Sequence, residues 1–200
     1  MVAAALACFV LYLALAFGLR TWLQLRRTGS SGFKGVKGRP GSPEWWAGVL
    51  FVVALLVGVA APVLAALDGV EPLEGLDDTA SHAAGIALFA LGLAATLAAQ
   101  FAMGSSWRIG VDEGERTELV TDGPFAIVRN PIFAAMLPTS LGLALMVPSW
   151  VAFAGLAALL LALELQVRVV EEPYLLRAHG DVYRQYAERV GRFVPGLGLL

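Results

Sequence analysis

The chain is built from long apolar blocks separated by short polar segments, and the blocks lack the one-sided stripe of a helix on a soluble core. Blocks 2–19, 45–67 and 80–103 each come close to or exceed the roughly 20 residues needed to cross a bilayer. A further uncharged run extends from Asn130 to Leu163. As one helix rising 1.5 Å per residue it would reach about 50 Å, against a hydrocarbon core of about 30 Å, so it is predicted to fold back at Val147-Pro148-Ser149-Trp150. The two arms, 131–147 and 148–163, are then about 24 Å each, short for full crossings. The pattern predicts an all-α integral membrane protein of about five transmembrane helices, the last two a helical hairpin. Residues 2–19 read as a retained span because no basic segment leads into them.

Loop charge orients these spans. Arg20, Arg26, Arg27, Lys34, Lys37 and Arg39 stand between the first two against a single Glu44, whereas the next loop carries Asp68, Glu71, Glu74, Asp77 and Asp78 without a base. Arg108, Arg116 and Arg129 precede the hairpin, its turn is uncharged, and Arg168, Arg177, Arg184, Arg189 and Arg192 follow it. The positive-inside rule places the N-terminus outside and the C-terminus in the cytoplasm of a cell-membrane protein. Trp45, Trp46, Trp107 and Trp150 fall at span ends, as an interfacial aromatic belt would. Beyond the hairpin, 177–186 reads as a short cytoplasmic amphipathic helix with Tyr183, Tyr186 and Val190 on one side.

At 58% hydrophobic and 15% charged the composition excludes an ordinary soluble domain. One membrane domain is expected, with three N-terminal spans in 1–103 and a second half in 104–200. The lone Cys8 excludes an intrachain disulfide, and neither His82 nor His179 has a neighbour at metal-ligand spacing, so no metal is expected. The basic loop 29–43 is too short and too rich in glycine and serine to suggest nucleic acid, and membrane lipids are its expected neighbours.

The candidate chemistry lies at the charged ends of the hairpin, which return Arg168 to the membrane face that Arg129 left. Glu164, Arg168, Glu171 and Glu172 are spaced by threes and fours and are expected along one helix face. Paired only with each other they would be an ordinary exposed helix end. However, Glu164 begins at membrane depth, where carboxylates are costly and usually face a cavity or partner. Asn130-Pro131 has the form of a capped helix start, whose free amides favour an anion beside Arg129. An anion-binding half and the Glu171-Glu172 pair suit a zwitterion: the methionine part of S-adenosylmethionine, an amino acid or a phosphoethanolamine headgroup.

Gly123-Pro124-Phe125, Arg129-Asn130-Pro131-Ile132-Phe133, the apolar hairpin, Arg168-Val169-Val170-Glu171-Glu172, His179-Gly180-Asp181-Val182-Tyr183-Arg184-Gln185-Tyr186 and Arg192-Phe193-Val194-Pro195 occur in this order. The composite resembles the integral-membrane isoprenylcysteine carboxyl methyltransferases and the related phospholipid methyltransferases. The resemblance spans roughly 107–195. It implies S-adenosylmethionine bound on the cytoplasmic side by Arg129, Asn130, Pro131, Phe133, Glu171 and Glu172 under a tail helix carrying Tyr183, and a tunnel for a lipophilic small-molecule or lipid acceptor. Arg168, orienting an anionic acceptor, and Glu172 are the expected catalytic residues.

Asn130 stands where the family has histidine and Phe133 where it has tyrosine, so an acid–base role at the first position is lost while a hydrogen-bonding group and a ring remain. Methyl transfer is an in-line displacement that needs alignment and exclusion of water more than acid–base groups. A carboxylate acceptor, as in prenylcysteine O-methylation, needs no base; an amine acceptor must lose a proton to Glu171, Glu172 or Tyr183. Two other classes fit less well: a noncatalytic scaffold or transport accessory that keeps the fold, and a nicotinamide-dependent membrane reductase resembling the sterol reductases.

Overall fold

The computed structural model describes residues 1–32, 35, 38–107 and 118–200. Lys34, Lys37, Arg108 and Arg116, four of the loop charges that predict the orientation, lie outside the described residues. The first helix, α1 (Val2–Thr28), is continuous through a π-helical stretch at Leu13–Leu19 and stops at Gly29, whose φ of 75° provides the left-handed cap. Helix α2 (Pro43–Ala66) starts where Ser42 Oγ accepts the Trp45 N–H at 3.3 Å, and α3 (Thr79–Ala102) where the Asp78 carboxylate accepts the Ser81 N–H at 2.8 Å. The expected hairpin is α4 (Pro131–Met146) and α5 (Trp150–His179), with Ser149 Oγ capping α5 through the Ala152 N–H at 3.3 Å. After Gly180 the short α6 (Asp181–Ala187) follows. Among the described residues there is no β-strand, only a parallel bridge between Val128 and Gly191.

Four of these helices, α1, α2, α3 and α5, are long and apolar enough to cross a membrane, and the 16-residue α4 is shorter. The second hairpin arm is one helix from Trp150 to His179: the apolar part continues without a break through the charged helix expected at Glu164 to Glu172 and on for about two further turns. Its 30 residues span about 45 Å. The charges from Glu164 onward do not end the helix because Glu164 pairs with Arg168, and Glu172 with two arginines. Pro173, which lacks an N–H for the carbonyl four residues back, follows directly on the π-helical stretch Gln166–Glu171 and α-helical Glu172. That wider turn accommodates the proline ring without breaking the helix.

Close packing concentrates on α3 against α4 and α2 against α5. A Cβ on Gly85 would lie 2.7 Å from the Gly142 carbonyl oxygen, and one on Gly142 would lie 2.6 Å from the Gly85 oxygen. Small residues let the backbones touch, which supports helix association in lipid, where apolar side chains gain little by leaving the solvent. Tyr12 and Ala16 of α1 join Ala54, Phe89, Met136, Leu159 and Leu163 in the core, while Val10, Leu56, Leu91 and Leu161 face outward.

Antiparallel alternation polarises the bundle. The acidic loop 67–78 meets the hairpin turn at one end, where the Leu73 N–H donates to the Pro148 carbonyl at 2.9 Å. At the other end the C-termini of α1, α3 and α5 meet the N-termini of α2 and α4. Trp46 and Trp150 are exposed at helix starts, in keeping with a belt. Trp107 is not part of it: at 2% exposure its ring lies under the Arg20 guanidinium, 4.8 Å from ring centre to Cζ.

Candidate functional site

The acidic residues expected on one helix face are divided by the π-helical stretch, which changes the register within α5. Glu164 and Arg168 remain an i,i+4 pair, with the Arg168 side chain exposed. Glu172 is buried between two guanidiniums. Its Oε1 accepts from Arg129 Nη2 at 2.6 Å and from Arg192 Nε at 2.8 Å, and its Oε2 accepts from Arg192 Nη2 at 2.9 Å. The Glu172 carboxylate holds the Arg192 guanidinium above the usual arginine range. Arg129 also donates to the carbonyls of Ala187 at 2.8 Å, Gly198 at 2.9 Å and Val190. The backbone N–H of Arg129 reaches the Gly191 oxygen at 2.8 Å. Arg129 is therefore the anchor of the tail, and its charge is committed to protein groups.

Asn130 does not cap α4 with its side chain. Its backbone N–H and its Nδ2 both donate to the Arg192 carbonyl at 3.1 Å, so the tail, rather than the helix start, takes up its amide.

In front of this cluster lies a cavity of about 980 Å³. Arg129, Asn130, Pro131, Phe133, Glu171 and Tyr183 all line it, so six of the eight expected site residues share one space. Glu172 stands behind that wall and Arg168 is not among the lining residues. Gln166 Nε2 donates to Glu171 Oε1 at 3.4 Å, and Glu44 and Glu118 are also on the wall. The part of the wall contributed by α1, α2 and α3 is, Glu44 aside, largely apolar and includes Phe17, Phe51 and Leu55. An amphiphile can place its hydrocarbon against that side while carboxylates and the first turn of α4 surround its polar end.

Burial, reinforced by the Glu172 charge, pushes the Tyr183 phenol far up, which makes it a neutral donor rather than a base near neutrality. Burial likewise pushes Tyr186 up to about 12, and its hydroxyl donates to the Phe125 carbonyl at 2.5 Å.

Three residues of this region were not singled out for the site from sequence. Arg192 lies in the Arg192-Phe193-Val194-Pro195 motif, but only the folded tail brings it to Glu172. Gln100, an amide near the end of a largely apolar helix, and Trp107, assigned to the membrane surface, line the cavity. A polar side chain inside a spanning block was the available signal for Gln100.

Residues 80–182, just over half of the chain, match the phospholipid methyltransferase family. A stretch of 83 residues is 34% identical to the nickel-cobalt-cadmium resistance protein NccN of Alcaligenes xylosoxydans xylosoxydans, covering 42% of this chain and 38% of that protein's length. The family match runs from α3 through the hairpin into α6 and so contains the Arg129–Glu172 pair and most of the cavity's charged end, while α1, α2 and Arg192 lie outside it. On this correspondence the chain belongs to the phospholipid methyltransferase family of integral-membrane methyltransferases, to which the isoprenylcysteine carboxyl methyltransferases are related.

Proposed function

We propose that the protein transfers a methyl group from S-adenosylmethionine to a lipophilic acceptor drawn from the membrane. The observation that carries this reading is the single cavity that joins Asn130, Pro131, Phe133, Glu171 and Tyr183 to an apolar wall. The residues present suit the cofactor: the α4 N-terminal turn for its carboxylate, Glu171 for its ammonium or ribose hydroxyls, and the Phe133 and Tyr183 rings for its cationic end. When bound, it supplies an electrophilic methyl group on a sulfonium. Glu172 and Arg129 act indirectly, by holding the tail over the cavity through Arg192. We assign Arg168, exposed off the cavity wall, to attracting an anionic group of the acceptor's headgroup, apart from its reacting end, at the membrane surface. Loop charge supports five membrane passages with α4 as the short one, the cavity end in the cytoplasm and the N-terminus outside.

Glu44, Glu118 and Glu171 on the wall, with Arg129 already bonded, favour an acceptor whose reacting end is not anionic. A lipid amine fits that environment better than a prenylcysteine carboxylate. Glu171 is then the available group to take its proton, because Tyr183 is held neutral and Glu172 is enclosed by arginines.

The test is calorimetric binding of S-adenosylmethionine and S-adenosylhomocysteine to detergent-purified protein. Wild type is expected to bind both, and Glu171→Gln to bind about tenfold or more weakly at unchanged thermal stability, the worth of a charged hydrogen bond. Glu172→Gln is expected to lose about 3–5 kcal/mol of stability, because two arginines lose their carboxylate, and binding falls with it. Absence of binding by folded wild type would overturn the methyltransferase reading. It would favour a noncatalytic membrane accessory, a second reading supported by Asn130 and Phe133 in place of histidine and tyrosine.

A further inference from the structure

Gln100 is 3% exposed near the C-terminal end of α3 and lines the cavity. Its Nε2 donates to the Ala16 carbonyl at 2.8 Å, within the π-helical stretch of α1. That bond fixes the amide, since the reversed group would set two oxygens against each other. Gln100 Oε1 is consequently oriented as an acceptor, and it is buried without a hydrogen-bond partner. One turn earlier, Thr96 is also buried but is satisfied by the Tyr12 hydroxyl at 3.4 Å. An unmet amide oxygen at the edge of hydrocarbon costs free energy comparable to a lost hydrogen bond unless a bound group meets it. Its neighbours on the wall include Tyr12, Phe17 and Trp107, so the group that meets it belongs to a molecule with an apolar body.

We propose that Gln100 is a specificity-determining residue: its Oε1 accepts a hydrogen bond from an N–H or O–H of the methyl acceptor, which is an amphiphile carrying such a donor beside its hydrocarbon. This rests on the methyltransferase reading and extends it by assigning the acceptor to the α1–α3 side of the cavity. An amphiphile whose head is only an acceptor, such as an ether, an ester or an ionised carboxylate, leaves the oxygen unpaired or repels it.

The experiment measures competitive binding of matched C12 amphiphiles to the full chain in lipid nanodiscs, using 1-dodecanol, its methyl ether and dodecanoate against a labelled dodecanol. Wild type is expected to prefer the alcohol to the ether by about fivefold, the worth of one neutral hydrogen bond. Gln100→Met keeps the volume and removes the acceptor, and is expected to bind the two equally with the ether's affinity retained. Gln100→Met also removes the bond to Ala16, so the alcohol-to-ether ratio in wild type stands as an independent measurement that does not depend on the variant folding. Equal binding of alcohol and ether by wild type, a preference that survives in folded Gln100→Met, or no amphiphile binding would each overturn the proposal. Cofactor binding measured on the same samples separates the two readings. A Gln100-dependent preference without S-adenosylmethionine binding sinks only the methyl-transfer reading, and cofactor binding without the preference sinks only the role of Gln100.

Discussion

Glu171 and Glu172 are adjacent in sequence and have different tasks. Glu171 lines the cavity, whereas Glu172 is enclosed by Arg129 and Arg192 and holds the tail. The motif was legible in the sequence, but the division of labour was not, because neighbouring helical residues point about 100° apart and the π-helical stretch alters the register further. Arg129 shows the same limit: its place in the motif was evident, while the three carbonyls it binds come from 58 or more residues along the chain. The two buried tyrosines lead to a pH prediction. Tyr186 has its folded pKa raised from the ordinary 10.0 to about 12, so its contribution to stability is present below pH 10 and is lost as pH rises toward 12. Thermal unfolding in detergent should show an alkaline decline in that window, in the same direction as Tyr183. Tyr186→Phe should flatten the decline and cost about 1 kcal/mol at neutral pH through the lost bond to Phe125.

Three helices, α3, α4 and α5, carry features that set the packing of the bundle and the register of the site. The α3–α4 contact is closed around Gly85 and Gly142, where an added Cβ would meet backbone first, and Gly92, where it would meet the Thr139 hydroxyl and the backbone behind it. Gly142→Ala is therefore expected to destabilise by about 1–3 kcal/mol, measured as a lower unfolding midpoint in detergent, and an unchanged midpoint would show that the pair can separate without penalty. In α5 the π-helical stretch and Pro173 allow a helix of 30 residues to continue through a charged segment. Pro173→Ala restores an N–H and should let the stretch relax to α-helix, rotating Glu171 relative to Glu164. Circular dichroism should then be unchanged while S-adenosylmethionine affinity falls about tenfold or more, as for the loss of the proposed Glu171 contact. Full affinity would mean that the proline does not set the register. The hairpin and its turn were readable from Val147-Pro148-Ser149 because proline and a capping serine are local signals. The helix beyond it was legible as far as Glu172 from the spacing of its charges, but not its run to His179, because the pairing of Glu172 with Arg129 and Arg192 depends on distant residues.

For the whole molecule, the structure puts the acidic loop and the hairpin turn at one end and the cavity at the other. If the cavity end is cytoplasmic, then on intact cells carrying Cys8→Ser an impermeant maleimide should label a cysteine placed at Gly75 and not one placed at Ser30. The reverse pattern would invert the orientation and leave the bundle as described. Apolar block length, loop charge and local turn chemistry determined by themselves that this is a helical membrane protein, where its helices begin, and which motifs carry the charged site, because each depends on near neighbours in the chain. Tertiary structure alone decided that Glu172 is a tail clamp, that Arg168 lies off the cavity wall, that Trp107 is buried beneath Arg20, and that Gln100 presents an unmet oxygen. Those outcomes depend on contacts between residues as much as 87 positions apart and on helix register, which no local pattern encodes.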